Sequence, residues 1–361
     1  MRFLTDSTTT TIGSFSETSP VSRSFVVVVV NPFKLVVGRL LILLSLLAVT
    51  VTSDTIELML SENDLNALGD LLAKPPRPLL FCAKDDEDWA SSIKASRSLG
   101  PQTIRFAQYN VWNSADGPDW ADLRSKLVLG LLTKEQPEVI ALNEVRISTN
   151  HSMFHDFCQR LNDDTYQGVF APAMVHADGS VEGVAIFSKI PWKAVSSRAL
   201  HFNRHQTRDL NRRVILGVEI CLDHSRCLMV HTTHFAYDEK QRFGNAYSAW
   251  VFMTAFGLRH NTEAQPILLG DFNSRVEADS ITRFFDSVLR LKDPAALKTT
   301  VENTYCNCGR PDQNCTLSVR PDRILVYDAL EVTEIRAGPS GPINGVCPSD
   351  HRALFATVLV Y

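Results

Sequence analysis

The sequence has no surplus of positive charge: 36 Lys and Arg stand against 40 Asp and Glu, a formal net charge of −4. That excludes nucleic-acid binding through a broad cationic surface, but not through a local site that works with a metal ion. It has no C-x2-C pair, so the usual zinc frameworks are missing despite eight cysteines. It has no apolar run of the about 20 residues that span a bilayer; residues 40–51 hold twelve apolar-type residues in a row. There is no internal repeat, which excludes solenoids and propellers. What is present is ordinary globular composition, 45% hydrophobic and 21% charged over 361 residues. A chain of that length makes one large domain with additions, or two domains.

The first hundred residues differ from the rest. Residues 5–24 are rich in Ser and Thr and read as a disordered lead-in. The apolar run 40–51 follows Lys34 and Arg39 and ends among small residues, the pattern of a secretory signal core. Residues 1–53 are therefore expected to be a lead-in with a signal peptide, the alternative being a retained signal anchor through residues 35–52. Residues 54–102 are read as an N-terminal extension, with helical spacing over Ser61 to Leu72 stopped by Pro75-Pro-Arg-Pro78. Eight cysteines in an exported chain suggest disulfides. Cys221 and Cys227 flank a five-residue turn at hairpin spacing, while Cys306, Cys308, Cys315 and Cys347 cluster near the C-terminus. Asn150-His-Ser and Asn314-Cys-Thr are glycosylation acceptors that agree with the secretory route.

Chemistry is carried by strand ends. In Ile267-Leu-Leu-Gly-Asp-Phe-Asn-Ser274 three apolar residues read as the buried end of a strand, and Gly270 frees the backbone. Asp271 and Asn273 then fall on one side of an extended chain. Two hard oxygen donors where a strand leaves the core suit Mg²⁺ and a phosphate. Asn110, Glu144 and Asp350 likewise follow apolar runs, and His234 and His351 add groups that exchange protons near neutral pH. Strand-like runs at 104–111, 138–144, 183–187, 214–221, 227–232, 266–269, 323–327 and 354–360 alternate with helical spacing such as Trp120, Leu123, Leu127 and Leu131. The fold class expected is α/β (α+β): two packed sheets with helices outside.

Taken in order, Gln108-Tyr-Asn-Val-Trp-Asn113, Leu142-Asn-Glu-Val-Arg146, Glu182-Gly-Val-Ala-Ile-Phe-Ser-Lys189, His231-Thr-Thr-His234, Gly270-Asp-Phe-Asn273, Pro321-Asp-Arg-Ile-Leu-Val326 and Ser349-Asp-His351 form a set. It resembles the endonuclease/exonuclease/phosphatase superfamily, which includes deoxyribonuclease I, exonuclease III, the neutral sphingomyelinases and the inositol polyphosphate 5-phosphatases. The resemblance covers residues 103–361, taken as the catalytic domain. It implies a deoxyribonuclease I-like, four-layer sandwich with two central mixed sheets flanked by helices. It also implies Glu144, Asn110 and Asp350 as Mg²⁺ ligands, with Mn²⁺ as a substitute. His351, oriented by Asp322, would activate water or the phosphate, and His234, partnered by Glu182, would protonate the leaving oxygen. Asp271 and Asn273 would position the nucleophile and hold the transition state, and Arg212 would contact substrate phosphate. Two positions depart from the pattern: Asn143 stands where the family has Gln, and His231 where it has Asn. His231 is expected to be an ordinary core histidine, with an extra ligand as the alternative.

The activity these features imply is metal-dependent phosphodiester hydrolysis by a secreted, monomeric enzyme, with nucleic acid the preferred substrate. A sphingomyelinase-type phospholipase C acting on a phospholipid head group, or an inositol-phosphate phosphatase, is the alternative. A non-catalytic binding module on the same fold is the remote one.

Overall fold

The computed structural model describes residues 79–82, 100–112, 118–148, 152–162, 166–205, 207–223, 225–274, 280–296, 303–306 and 317–361, and the backbone of three short N-terminal strands. The chain divides into two compact units, Met1–Pro75 and Pro76–Tyr361. In the first, β1 (Val28–Val30), β2 (Val49–Thr52) and β3 (Thr55–Leu58) form an antiparallel sheet in the order β1-β3-β2. Of the apolar segment 35–52, only Val49–Thr52 is described, as a strand. The rest of that segment, the helical spacing over 61–72, and Asn150 and Asn314 lie outside the described residues. No helix among the described residues is long and apolar enough to cross a membrane.

The second unit is built on two mixed sheets. One has seven strands: β4 (Leu80–Cys82), β5 (Gln102–Asn110), β6 (Val139–Ile147), β7 (Gln167–Val175), β8 (Val181–Ser188), β17 (Glu331–Ala337) and β18 (Leu354–Val360), in the order β17-β18-β5-β6-β8-β7-β4. The other has six: β9 (Trp192–Ala199), β10 (Val214–Cys221), β11 (Cys227–His234), β12 (Gln265–Asp271), β13 (Leu291–Lys292) and β16 (Asp322–Tyr327), in the order β13-β16-β12-β11-β10-β9. A small pair, β14 (Tyr305–Cys306) and β15 (Leu317–Val319), stands beside them. The compact unit begins at Pro76, so β4, read from sequence as part of the 54–102 extension, contributes an edge strand to the seven-stranded sheet.

Strand alternation explains the layering. Ile104, Phe106, Val139, Ala141, Val184 and Ile186 of one sheet pack against Val214, Leu216, Val218, Val230, Ile267, Leu269 and Ile324 of the other. Their neighbours Ala107, Tyr109, Ile140, Leu142, Ala185 and Phe187 face outward onto α1 (Pro118–Glu135) and α2 (Met153–Asn162) through Val128, Leu132, Phe154 and Phe157. A strand buried on both faces needs near-continuous apolar sequence, which these have. On the far side of the six-stranded sheet, α3 (Glu239–His260) presents Phe252 and Phe256 to His231, and α4 (Ser280–Leu289) presents Phe285 to Phe235 and Phe272. Helix, sheet, sheet, helix is the four-layer sandwich expected.

The α1 stripe is a correction. Leu123 is exposed, and the buried face runs through Arg124, Val128, Leu131 and Leu132. The shift has a polar cause, because Arg124 crosses to the carbonyls of Val111 and Trp112 and to that of Pro348. Arg124 is thus a buried brace between the helix and two loops.

The parallel pairs β5–β6 and β11–β12 matter most for function, because each delivers two strand ends to the same edge of its sheet. Gly270 permits the second: a Cβ there would meet the Thr233 carbonyl oxygen at 2.0 Å. Glycine is thus required for β12 to lie this close to β11.

Candidate active site

The cleft at that edge is lined by Glu144, Asp271, Asn273, Asp350, His234 and His351, with a volume of about 230 Å³. They arrive from several strand ends, Asp271 and Asn273 together from β12 and Asp350 and His351 together from the segment before β18. Asn110 ends β5, His234 ends β11, Asp271 ends β12, and Asp322 opens β16 directly opposite Asp271. Glu144 sits in an irregularity of the β6–β8 ladder between Leu142 and Val145. Glu144 and Asn273 have φ of 58° and 51°, a left-handed backbone that non-glycine residues adopt at a cost of about 1–3 kcal/mol and that clusters at functional sites.

The polar network is continuous. Asn110 Nδ2 donates to Glu144 Oε1 at 3.1 Å and to Asp271 Oδ2 at 2.9 Å. Asn273 N donates to Asp271 Oδ1 at 2.7 Å, and its side-chain amide lies 2.9 Å from His234 Nε2. His351 Nδ1 lies 2.8 Å from Asp322 Oδ2, which also accepts from Thr304 Oγ1 at 2.6 Å. The Nε2 atoms of His234 and His351 each lie 3.6 Å from Asp271 Oδ2. One carboxylate oxygen therefore stands between two imidazoles.

Charge separates those imidazoles. Burial alone would depress His351, but the carboxylates of Asp322, Asp271 and Asp350 outweigh it and hold the imidazolium well above the usual histidine value. His234 is pushed well below that value by burial, reinforced by the charges of Arg213 and His351. Burial also raises Asp271, helped by repulsion from Asp322, and raises Asp350 to about 6, helped by Asp271. Crowded acidic oxygens of this kind suit a hard divalent cation, whose charge relieves their repulsion. Asp271, Asp322 and His351 bring their ligand atoms within 4.8 Å of one another, but His351 is already paired with Asp322. The oxygen donors that open onto the cleft include Glu144, with Asn110 beside it, and Asp350. The donor set fits a metal. A second cluster, Glu219 with Cys221 and Cys227, does not, because those sulfurs are joined as a disulfide.

Two expected residues lie elsewhere. Glu182 does not partner His234; its Oε2 lies 3.0 Å from His176 Nε2, on the hairpin that joins β7 and β8. His234 Nδ1 faces Arg213 Nη1 at 2.8 Å instead. Arg212 is exposed and stacks over Phe202 with its guanidinium carbon 4.8 Å from the ring centroid, while its neighbour Arg213 is buried and lines the cleft. The segment before β10 has no regular period, so the sequence carries no sign of which of two adjacent arginines turns inward. Asn211, Tyr237 and Tyr305 also line the cleft and were not anticipated, since they stand in irregular segments or a two-residue strand.

The two departures from the pattern have different outcomes. Asn143 is buried between the sheets, accepting from Asp271 N at 2.8 Å and Gln108 Nε2 at 2.6 Å and donating to Thr233 O at 3.1 Å. It ties the β6 end to the β12 end. His231 is fully buried, lies edge-on to Phe252 and Phe256, and has no hydrogen-bond partner at either ring nitrogen among the described residues. It is the core histidine expected.

Burial lowers the His231 pKa to about 4, from an ordinary histidine value of about 6.5. An unfolded chain takes up a proton as pH falls below 6.5 and the folded one does not, so this stability is full above pH 6.5 and drains as pH falls. By pH 4 the loss amounts to about 3 kcal/mol. Urea denaturation of His231→Leu at pH 7 and pH 4 is expected to show a pH gap smaller by that amount. An unchanged gap would exclude His231 as the source.

Comparison with known proteins follows the same lines. The human nocturnin catalytic domain with bound sulfate superposes with TM-score 0.55 at 18% identity, over 80% of this chain and 100% of that one. The mannosyl-6-phosphatase of Bacteroides thetaiotaomicron gives 0.52 at 16% identity over 71% and 99%. D. rerio TDP2 complexed with single-strand DNA product gives 0.50 at 16% over 71% and 99%. At such identities the likeness is one of fold. No curated protein matches in sequence. The model of the Endonuclease/Exonuclease/phosphatase family matches residues 107–351, a span that opens at β5 and closes on His351, and the chain belongs to that family.

Proposed function

We propose that this protein is a Mg²⁺-dependent phosphodiesterase that cleaves a P–O bond by attack of water, with nucleic acid as its substrate. The observation that carries the reading is Asp271 Oδ2, 3.6 Å from the Nε2 of both histidines. Asp271, whose pKa burial raises, is the base that orients the attacking water and takes its proton. The His351 imidazolium, braced by Asp322, bonds to a phosphoryl oxygen where negative charge develops. His234, held neutral by burial and by Arg213, donates a hydrogen bond from its N–H to the leaving oxygen, which takes its proton from solvent water as it departs. Mg²⁺ at Glu144, Asn110 and Asp350, or Mn²⁺ in its place, supplies Lewis-acid polarisation of the P–O bond when bound.

Support for nucleic acid comes from a D. rerio protein of the same fold caught with a single-strand DNA product. The disulfides Cys82–Cys158 and Cys221–Cys227 support an oxidising, extracellular setting. In that setting the protein acts as a secreted monomer, or as one tethered to a membrane through residues 35–52.

The test is nicking of supercoiled plasmid by the full chain with Mg²⁺ and with EDTA. Nicking that requires the metal is the expected result. Intact plasmid, with Mg²⁺ still raising the melting temperature, would sink the nucleic-acid assignment and turn attention to sphingomyelin and phosphoinositide vesicles.

A further inference from the structure

One wall of the cleft is organised by a side chain outside every motif above. Asp209 lies in the irregular segment between β9 and β10 and is fully buried. Its Oδ1 accepts from Asn211 N at 2.9 Å, and its Oδ2 accepts from Arg213 Nη2 at 3.1 Å and from Tyr237 N at 3.0 Å. Those three partners all line the cleft with His234 and His351. Arg213 extends the chain of contacts to His234 Nδ1 at 2.8 Å, and its Nε–H has no acceptor among the described residues. The guanidinium therefore keeps donor capacity in hand.

Tyr237 is fixed at both ends. Its backbone N–H goes to Asp209, and its hydroxyl donates to Arg208 O at 2.8 Å. Yet the residue is 54% exposed. An aromatic face that is already ordered, open to solvent and set in the wall of a phosphate-binding cleft can stack a flat ring with little further loss of freedom.

We propose that Asp209 is a positioning residue for a recognition wall made of Asn211, Arg213 and Tyr237. Tyr237 stacks on a planar ring borne by the group that stays on the phosphate after cleavage, so that a nucleotidyl phosphodiester is preferred to one whose retained group is aliphatic. The inference rests on the phosphodiesterase reading. It adds to that reading the residues that choose the substrate. An alkyl ester offers Tyr237 no face, whereas every base offers one.

The test compares two esters with the same leaving group, thymidine 5′-(p-nitrophenyl) phosphate and methyl p-nitrophenyl phosphate, on the Mg²⁺-loaded full chain. The wild type is expected to favour the thymidine ester in kcat/KM. In Tyr237→Ala that preference falls by roughly 5–150-fold, carried in KM, while Tyr237→Phe keeps most of it. Asp209→Asn preserves size and acceptor oxygen but loses the charge that holds Arg213. It is expected to raise KM for both esters more than it lowers kcat, with a melting curve confirming the fold. A preference that survives in Tyr237→Ala, or a loss in Asp209→Asn confined to kcat, overturns the wall and leaves the phosphodiesterase intact. Failure of the wild type to cleave either ester overturns both.

Discussion

His351→Ala is expected to lower kcat roughly 10²–10⁴-fold with little change in Mg²⁺ affinity. His351 Nε2 faces the acidic oxygen of Asp271, and its other nitrogen is spoken for by Asp322 at 2.8 Å. Removing the imidazole deletes the donor to the phosphoryl oxygen and also strands Asp322, which keeps Thr304 Oγ1 at 2.6 Å as its close donor. Breaking one partner of a buried charged pair costs about 3–5 kcal/mol, so the melting temperature must be measured beside the rate. Asp322→Asn separates the two effects. It leaves the ring in place but removes the charge that orients it, and most of the kinetic loss is expected to follow. The double variant should then be little worse than either single one, because residues that act as a unit are strongly non-additive. Losses that multiplied would mean that Asp322 works independently of His351. Retention of more than a tenth of wild-type kcat by a folded His351→Ala protein, on the order of what a spectator would leave, would remove His351 from the reaction.

The legible part of this molecule is the part with period and punctuation. The spans read for β10 and β18 agree with the structure at both ends, because Val214 to Cys221 and Leu354 to Val360 are largely apolar runs. The gathering of Asn110, Glu144, His234, Asp271, Asp350 and His351 in one cleft could be anticipated from their places beside strands, Asn110, His234 and Asp271 at strand ends and Asp350 and His351 shortly before β18. Cys221 and Cys227 were also legible: they pair in register across the β10–β11 hairpin and are bonded. The α3 helix was not. Its buried positions include Gln241, Asn245 and Ser248, which hold the loop before β10 through the His201 carbonyl and amide. A helix that buries polar side chains in order to brace a loop has no clean apolar stripe to read. Asp209, Arg213 and Tyr237 were invisible for a related reason. Their roles come from hydrogen bonds across an irregular segment, and nothing in spacing marks those. Glu182 shows the opposite error, in which a residue with a role in relatives of this family finds a different partner here, His176.

The Cys82–Cys158 disulfide could not be foreseen either, because its residues stand 76 positions apart, and the largest expected change in stability belongs to it. Closing a loop of that length restricts the unfolded chain by about 4 kcal/mol in the chain-entropy treatment, against about 2 kcal/mol for the six-residue closure of Cys221–Cys227. The anchorage is otherwise thin. The strand β4 has three residues, of which Leu80 is 44% and Phe81 55% exposed, so apolar burial does little to hold it on β7. The loop it closes contains β5 and β6, and with them Asn110 and Glu144. Those strands are central in their sheet and keep both neighbours when β4 leaves. Replacing Cys82 and Cys158 together by serine is therefore expected to lower unfolding free energy by about 4 kcal/mol and the melting temperature by roughly 10 °C. Turnover well below the new midpoint should remain near wild type. The corresponding change at Cys221 and Cys227 should cost about half as much. Denaturant titrations of the two double variants decide the point. If the short closure proves the more costly, loop entropy is not what the long one contributes, and if turnover falls with the long one, β4 does more for the cleft than hold an edge.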